Sequence, residues 1–94
     1  AGWLGGGDQA YFDEQVQRID DAGLTADFDY WGVVDRSQKR EFFQQIDLLS
    51  VPTTYREPKG LFVLEALASG VPVVQPAHGA FPEMLASTGG GVLV

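Results

Sequence analysis

The segment Glu57-Pro58-Lys59-Gly60-Leu61-Phe62-Val63-Leu64-Glu65 sets two carboxylates eight positions apart, with a glycine and the opening of a helix between them. A carboxylate offers two acceptor oxygens and no donor, so it takes bonds from hydroxyls, amides or cations. The first amides of a helix, here around Gly60 and Leu61, have no intrahelical acceptor and form a natural anion site. Gly60 lets a ligand approach the backbone closely. Pro58 pushes the backbone of Glu57 toward extended geometry. Glu65 is the one charge in the run Leu61-Phe62-Val63-Leu64-Glu65-Ala66-Leu67-Ala68. A buried Glu65 would need donors, because an unpartnered buried carboxylate is costly. The alternative is a narrow solvent stripe shared with Ser69. Glu57 taken alone can simply complement the helix dipole. Both glutamates around one glycine read as a binding site.

Other residues nearby can contribute. Arg56 and Lys59 can supply positive charge to a bound diphosphate, or stand as two solvated loop charges. His78, in Ala77-His78-Gly79-Ala80, has no paired acid or nucleophile in the sequence and reads equally as an ordinary loop histidine. Tyr30 and Trp31 alternate on a short aromatic segment, and core packing accounts for both.

These residues need elements to hold them. Ala1-Gly2-Trp3-Leu4 reads as the tail of a strand and Gly5-Gly6-Gly7 as a turn. Asp8 can cap a helix running to about residue 22, closed by Gly23, with Phe12, Val16 and Ile19 at helical spacing. Phe28-Asp29-Tyr30-Trp31 predicts a strand ending at Gly32. Asp35 or Ser37 caps a helix over residues 38–45. Leu48-Leu49-Ser50-Val51 predicts a strand stopped by Pro52. A third helix opens at Gly60 and ends at Gly70, with Pro72 just beyond. Residues 71–74 predict an apolar strand stopped by Pro76. Pro82 suits the start of a fourth helix, and Val92-Leu93-Val94 closes the chain as a strand. Short, apolar, mostly non-alternating strands that alternate with helices predict an α/β fold, a Rossmann-like parallel sheet with helices on both faces. Ligands of such sheets bind beyond the carboxyl ends of the strands, which selects the loops 32–35, 52–59 and 76–81.

Composition narrows the function. A chain of 94 residues suits one small domain. Its net charge of −7 makes it a poor partner for nucleic acid. No run reaches the roughly 18 apolar residues of a membrane span, and no basic-then-apolar leader opens the chain. Without cysteine, and with His78 as the single histidine, there is no thiolate or multi-histidine metal site. No G-x-G-x-x-G follows a strand and no P-loop lysine is present, which argues against other dinucleotide or triphosphate enzymes.

In order along the chain, Trp31-Gly32-Val33-Val34, Val51-Pro52-Thr53, the pair Glu57 and Glu65, the run from Ala66 to Val74, Gly79-Ala80-Phe81-Pro82-Glu83 and Gly91-Val92-Leu93-Val94 resemble the donor-binding half of a family 4 retaining glycosyltransferase, which has the two-domain GT-B fold. The resemblance covers nearly the whole chain, and the order and spacing of its pieces are specific. It implies transfer of a sugar from a nucleoside diphosphate sugar to an acceptor hydroxyl. Glu57 would be the catalytic-site carboxylate that accepts bonds from the donor-sugar hydroxyls. Glu65 would hold the ribose, since a carboxylate suits vicinal hydroxyls. Lys59 and the amides near Gly60 and Leu61 would meet the sugar or the diphosphate. The main chain of Gly32, Val33 and Val34 would approach the base. No metal or other cofactor is expected, because basic side chains and helix ends would do an ion's work. Two positions depart from the pattern: Lys59 stands where phenylalanine is usual, and His78 where glycine is frequent.

The resemblance also implies an incomplete sheet. The family's donor domain opens with two strands and a basic pair that have no counterpart here, and an acceptor domain precedes it. The expectation is therefore that residues 1–94 form a partial C-terminal donor-binding domain of a cytoplasmic enzyme, inactive alone. A missing N-terminal domain or another chain would complete the sheet. The alternative is a non-catalytic nucleotide-binding or interaction module on the same fold.

Overall fold

The computed structural model describes all residues 1–94. Four helices and two strands follow in the order α1 (Gln9–Asp21), α2 (Arg36–Gln45), α3 (Leu61–Ala68), β1 (Val73–Gln75), α4 (Phe81–Thr88) and β2 (Gly91–Leu93). The arrangement is α/β, an incomplete piece of a Rossmann-like parallel sheet. Contacts divide the chain into two compact units, Ala1–Ser37 and Gln38–Val94. No helix is long and apolar enough to cross a membrane.

The second unit holds the core. Phe43, Val63, Ala66, Val71, Val73, Phe81 and Leu85 are buried together, with Phe62 and Met84 packed against them. Val63 and Ala66, three residues apart, place one face of α3 inward, while Leu61, Leu64 and Ser69 are exposed. The helix ends in a Schellman motif: the Gly70 amide donates to the Leu67 carbonyl at 3.0 Å and the Val71 amide to the Ala66 carbonyl at 2.9 Å. Buried Val71 supplies the apolar contact usual at such an end.

β1 and β2 pair in parallel, Val73 opposite Gly91 and Gln75 opposite Leu93. The pairing continues past the strands, because the Val94 amide donates to the Gln75 carbonyl and the Ala77 amide to the Val94 carbonyl, both at 3.0 Å. On the other side of β1, Leu49 forms a single parallel bridge with Val73. The Leu49 amide donates to Pro72 and the Val74 amide donates to Leu49. Two residues on, the ladder would need an N–H at position 76 to serve the Val51 carbonyl, and Pro76 has none. The side chain of Gln75 takes over. Its Nε2 donates to the Val51 carbonyl at 3.0 Å, and its Oε1 accepts the Val51 N–H at 2.7 Å. Gln75 is completely buried, so this amide is a surrogate rung at the end of a truncated ladder.

The first unit has little interior. Among its residues only Gly5 is buried. The Tyr30 hydroxyl donates to the Gly2 carbonyl at 2.7 Å and its ring packs on Phe12. The segments 1–4 and 28–31, expected as strands, form no ladder; the Gly2 amide donates instead to the carbonyl of Gly32, just past the second segment, at 2.7 Å. A strand is defined by its partner, and extended aromatic sequence without a neighbouring ladder remains irregular. Asp8 occupies the position before α1, yet its side chain makes no capping bond; a 3-10 turn over Gly6–Asp8 leads into the helix instead.

Candidate functional site

Two loops meet at the carboxyl ends of Val51 and β1. Residues 52–60 leave the surrogate rung of Gln75, and residues 76–80 leave β1. They are tied at three successive positions. His78 Nε2 lies 2.9 Å from the Thr53 carbonyl oxygen. The Ala80 amide donates to the Glu57 carbonyl at 2.8 Å. Gly79 (φ 62°) packs so closely that a Cβ there would stand 2.6 Å from the Glu57 carbonyl oxygen and 2.7 Å from its nitrogen. Nothing but glycine fits that contact, since both the backbone angle and the space exclude a side chain. Of the three loops expected at this edge, 32–35, 52–59 and 76–81, the last two are thus joined. Gly32, Val33 and Val34 belong to the other unit; Gly32 has φ 66° and Val33 is exposed.

Glu57 is the centre of this arrangement. Its Oε1 accepts the amides of Gly60 at 3.1 Å and Lys59 at 3.2 Å. Gly60 is the N-cap of α3, in the left-handed region (φ 61°, ψ 38°). A Cβ at Gly60 would meet the sulfur of Met84 at 3.0 Å and the ring of Phe81 at 3.2 Å. The residue before α4 is Ala80, whose amide is held by the Glu57 carbonyl. One residue therefore touches the starts of two helices, with its side chain on α3 and its main chain on α4. The Gly60 amide first, then the Lys59 amide, holds the Glu57 carboxyl below its ordinary value, with a smaller opposing effect of burial. Glu57 is an ionised acceptor at neutral pH.

Glu65 has a different partner. It is half-exposed on the outer side of α3, and its Oε2 lies 3.3 Å from Nζ of Lys39 on α2. It shares the outer stripe with Ser69, whose hydroxyl donates to the Glu65 carbonyl at 2.9 Å. The two glutamates thus engage separate groups: Glu57 the helix amides, Glu65 an ammonium. Lys59 and Leu61 are exposed beside the start of α3. The amide of Leu61, first residue of α3, has no acceptor within the helix.

Sequence reasoning missed Gln75 and Lys39. For Gln75 a signal existed: an amide side chain stands between an apolar strand and Pro76. For Lys39 there was none, because the pairing joins two helices far apart in sequence. Two polar atoms of the loop pair, Thr53 Oγ1 and His78 Nδ1, are buried without a hydrogen-bond partner.

Comparison with known proteins then fixes the family. Residues 3–94 match the family model described as "Glycosyl transferases group 1". The chain belongs to this family. Over all 94 residues it is 36% identical to a D-inositol 3-phosphate glycosyltransferase of Mycobacterium leprae, of which it covers 22%. It is 34% identical to the enzyme of that name from Mycolicibacterium smegmatis and 32% identical to the one from Mycobacterium marinum, covering 21% and 20% of them. The group 1 chain therefore spans about a fifth of the length of these relatives. No solved structure matches it.

Proposed function

We propose that this group 1 chain is the donor-binding part of a cytoplasmic glycosyltransferase that moves a sugar from a nucleoside diphosphate sugar to an acceptor hydroxyl, with retention at the anomeric carbon. Family membership supports the reaction class. The observation that carries the donor assignment is the placement of Glu57 at the starts of α3 and α4. Helix starts carry partial positive charge and favour anions; the Glu57 carboxylate takes the Lys59 and Gly60 amides, which leaves the amide of Leu61 and the side chain of Lys59 for a diphosphate.

In this reading Glu57 keeps an oxygen on the Gly60 amide and offers its remaining acceptor capacity to donor-sugar hydroxyls, orienting the ring for loss of the diphosphate. The leaving diphosphate gathers negative charge, and the amide of Leu61 and the ammonium of Lys59 stand ready to meet it. The reaction runs without a metal ion. Glu65 takes the ribose diol while Lys39 keeps its carboxylate paired. The main chain of Gly32, Val33 and Val34 meets the base. The acceptor is bound by segments that the longer relatives carry outside the matched region. Their printed names make D-inositol 3-phosphate a rational first acceptor to try.

The test is release of nucleoside diphosphate by the protein that carries this chain, given UDP-, GDP- or ADP-sugars and an acceptor. Turnover that disappears in Glu57→Ala, with folding intact, supports the reading. Turnover unchanged in that variant removes Glu57 from the chemistry.

A further inference from the structure

His78 makes the one side-chain bond between the two loops. A carbonyl oxygen only accepts, so the 2.9 Å contact with Thr53 places a proton on Nε2. The other ring nitrogen, Nδ1, is shielded from solvent and has no partner. The imidazole also packs beside Phe81, the first residue of α4, with ring centroids 6.2 Å apart. The ring thus forgoes bonding at one nitrogen and makes a single directed contact through the other. The next two residues, Gly79 and Ala80, then hold the backbone of Glu57.

We propose that His78 is a positioning residue for Glu57: its Nε2–H bond to the Thr53 carbonyl sets the register in which Gly79 and Ala80 seat the Glu57 main chain, and so aims the carboxylate at the start of α3. The proposal deepens the reading of Glu57 as the donor-sugar residue and rests on it for the ligand measurement alone. Loop 76–80 anchors through β1 and through the Val94 carbonyl, which are fixed by the sheet. Loop 52–60 anchors through Gln75 at one end and α3 at the other. Between those anchors the Thr53 carbonyl is held by His78. If it is released, Glu57 keeps its short-range capping bonds but loses the support that orders them.

The experiment compares His78→Gln, His78→Asn and His78→Leu in the protein that carries this chain. A glutamine amide nitrogen reaches roughly where Nε2 stands, and an asparagine amide reaches only the Nδ1 position. The first readout is hydrogen exchange at the amides of Lys59 and Gly60. The second is the pH midpoint at which the Gly60 amide resonance follows ionisation of Glu57. In His78→Asn and His78→Leu, exchange at Gly60 rises roughly fivefold, the size expected for loss of one hydrogen bond, and the midpoint moves up toward the ordinary glutamate value. His78→Gln stays close to wild type in both. The third readout is affinity for a nucleoside diphosphate sugar against the free nucleoside diphosphate. His78→Asn weakens the former and spares the latter. Wild-type behaviour of the Gly60 amide in His78→Leu and His78→Asn overturns the proposal. So does a glutamine variant that behaves like the asparagine one, or failure of all three to fold. If the wild type binds neither nucleotide, the donor-site reading fails, while the two amide measurements still decide the role of His78.

Discussion

The carboxylate of Glu57 closes on the amide of Gly60 at 3.1 Å, bridging the last turn of a loop to the first turn of α3. The same residue's carbonyl receives the Ala80 amide at the threshold of α4. A residue tied at both its main chain and its side chain is held in place whether or not ligand is present. That makes Glu57 a preorganised acceptor, and it gives the loop a measurable dependence on pH.

The pH dependence has a definite sign. Folding depresses the Glu57 carboxyl below its ordinary value of 4.5, through the Gly60 and Lys59 amides. A depressed carboxylate contributes stability above its unfolded value, and that contribution is lost as pH falls through the folded one. Following the Gly60 amide resonance through an acid titration should therefore give a midpoint below 4.5. A midpoint at or above that value contradicts the capping geometry. Glu57→Gln should remove the titration altogether.

Gln75 should be unusually intolerant for a polar residue. Gln75→Leu leaves the Val51 N–H without a partner and removes one of the two donors to the Val51 carbonyl, which keeps the Thr53 amide at 2.8 Å; an orphaned group of this kind costs about 1–3 kcal/mol. Gln75→Glu keeps an acceptor for the N–H but offers no donor to the carbonyl, so it too should destabilise. Urea unfolding of both variants checks this. A leucine variant as stable as wild type would show that the surrogate rung contributes nothing.

Gly79→Ala should separate the loops. The new Cβ falls 2.6 Å from the Glu57 carbonyl oxygen, on a backbone at φ 62° that alanine rarely adopts. The cost should be about 1–3 kcal/mol by the usual scale of backbone strain, and the amides of Gly60 and Lys59 should exchange faster. An alanine variant with unchanged stability and unchanged exchange would mean that the loop contact gives way freely.

Lys39→Met should matter little for folding. Exposed ion pairs contribute about 0–1 kcal/mol, and both partners here are close to half-exposed. The measured change should lie within that range and shrink further in high salt. A larger loss would mean that the pair is more deeply embedded than its exposure indicates.

How much of this could be read from residues alone depends on whether the cause was local. All four helices were legible because their signals are local: Gly23 and Gly70 close α1 and α3, Pro82 falls in the first turn of α4, and Phe12, Val16 and Ile19 keep helical spacing. Most strands were not, because Tyr30 and Trp31 have strand-forming side chains but no ladder to join, and the run at Leu49 pairs at one residue only. The two loops of the site were legible from chain order, as the places where parallel strands end. The use each glutamate makes of its oxygens was not. Periodicity leaves open whether Glu65 is a buried acceptor or a member of an outer stripe, and the Lys39 ammonium that settles its partner comes from another helix. His78 was legible as a loop residue, while its bond to Thr53 depends on a loop register that no local pattern encodes.

The central claim is that this chain grips a nucleoside diphosphate sugar through Glu57 and Glu65, and calorimetric titration tests it most directly. UDP, GDP and ADP, free and sugar-linked, would be titrated into wild type, Glu65→Ala and Glu57→Ala. The account predicts that one nucleotide series binds wild type. Glu65→Ala should weaken both forms at least about tenfold, or about 1.4 kcal/mol, while Glu57→Ala selectively weakens the sugar-linked form. Equal affinity in all three proteins would contradict the assignment of these two carboxylates.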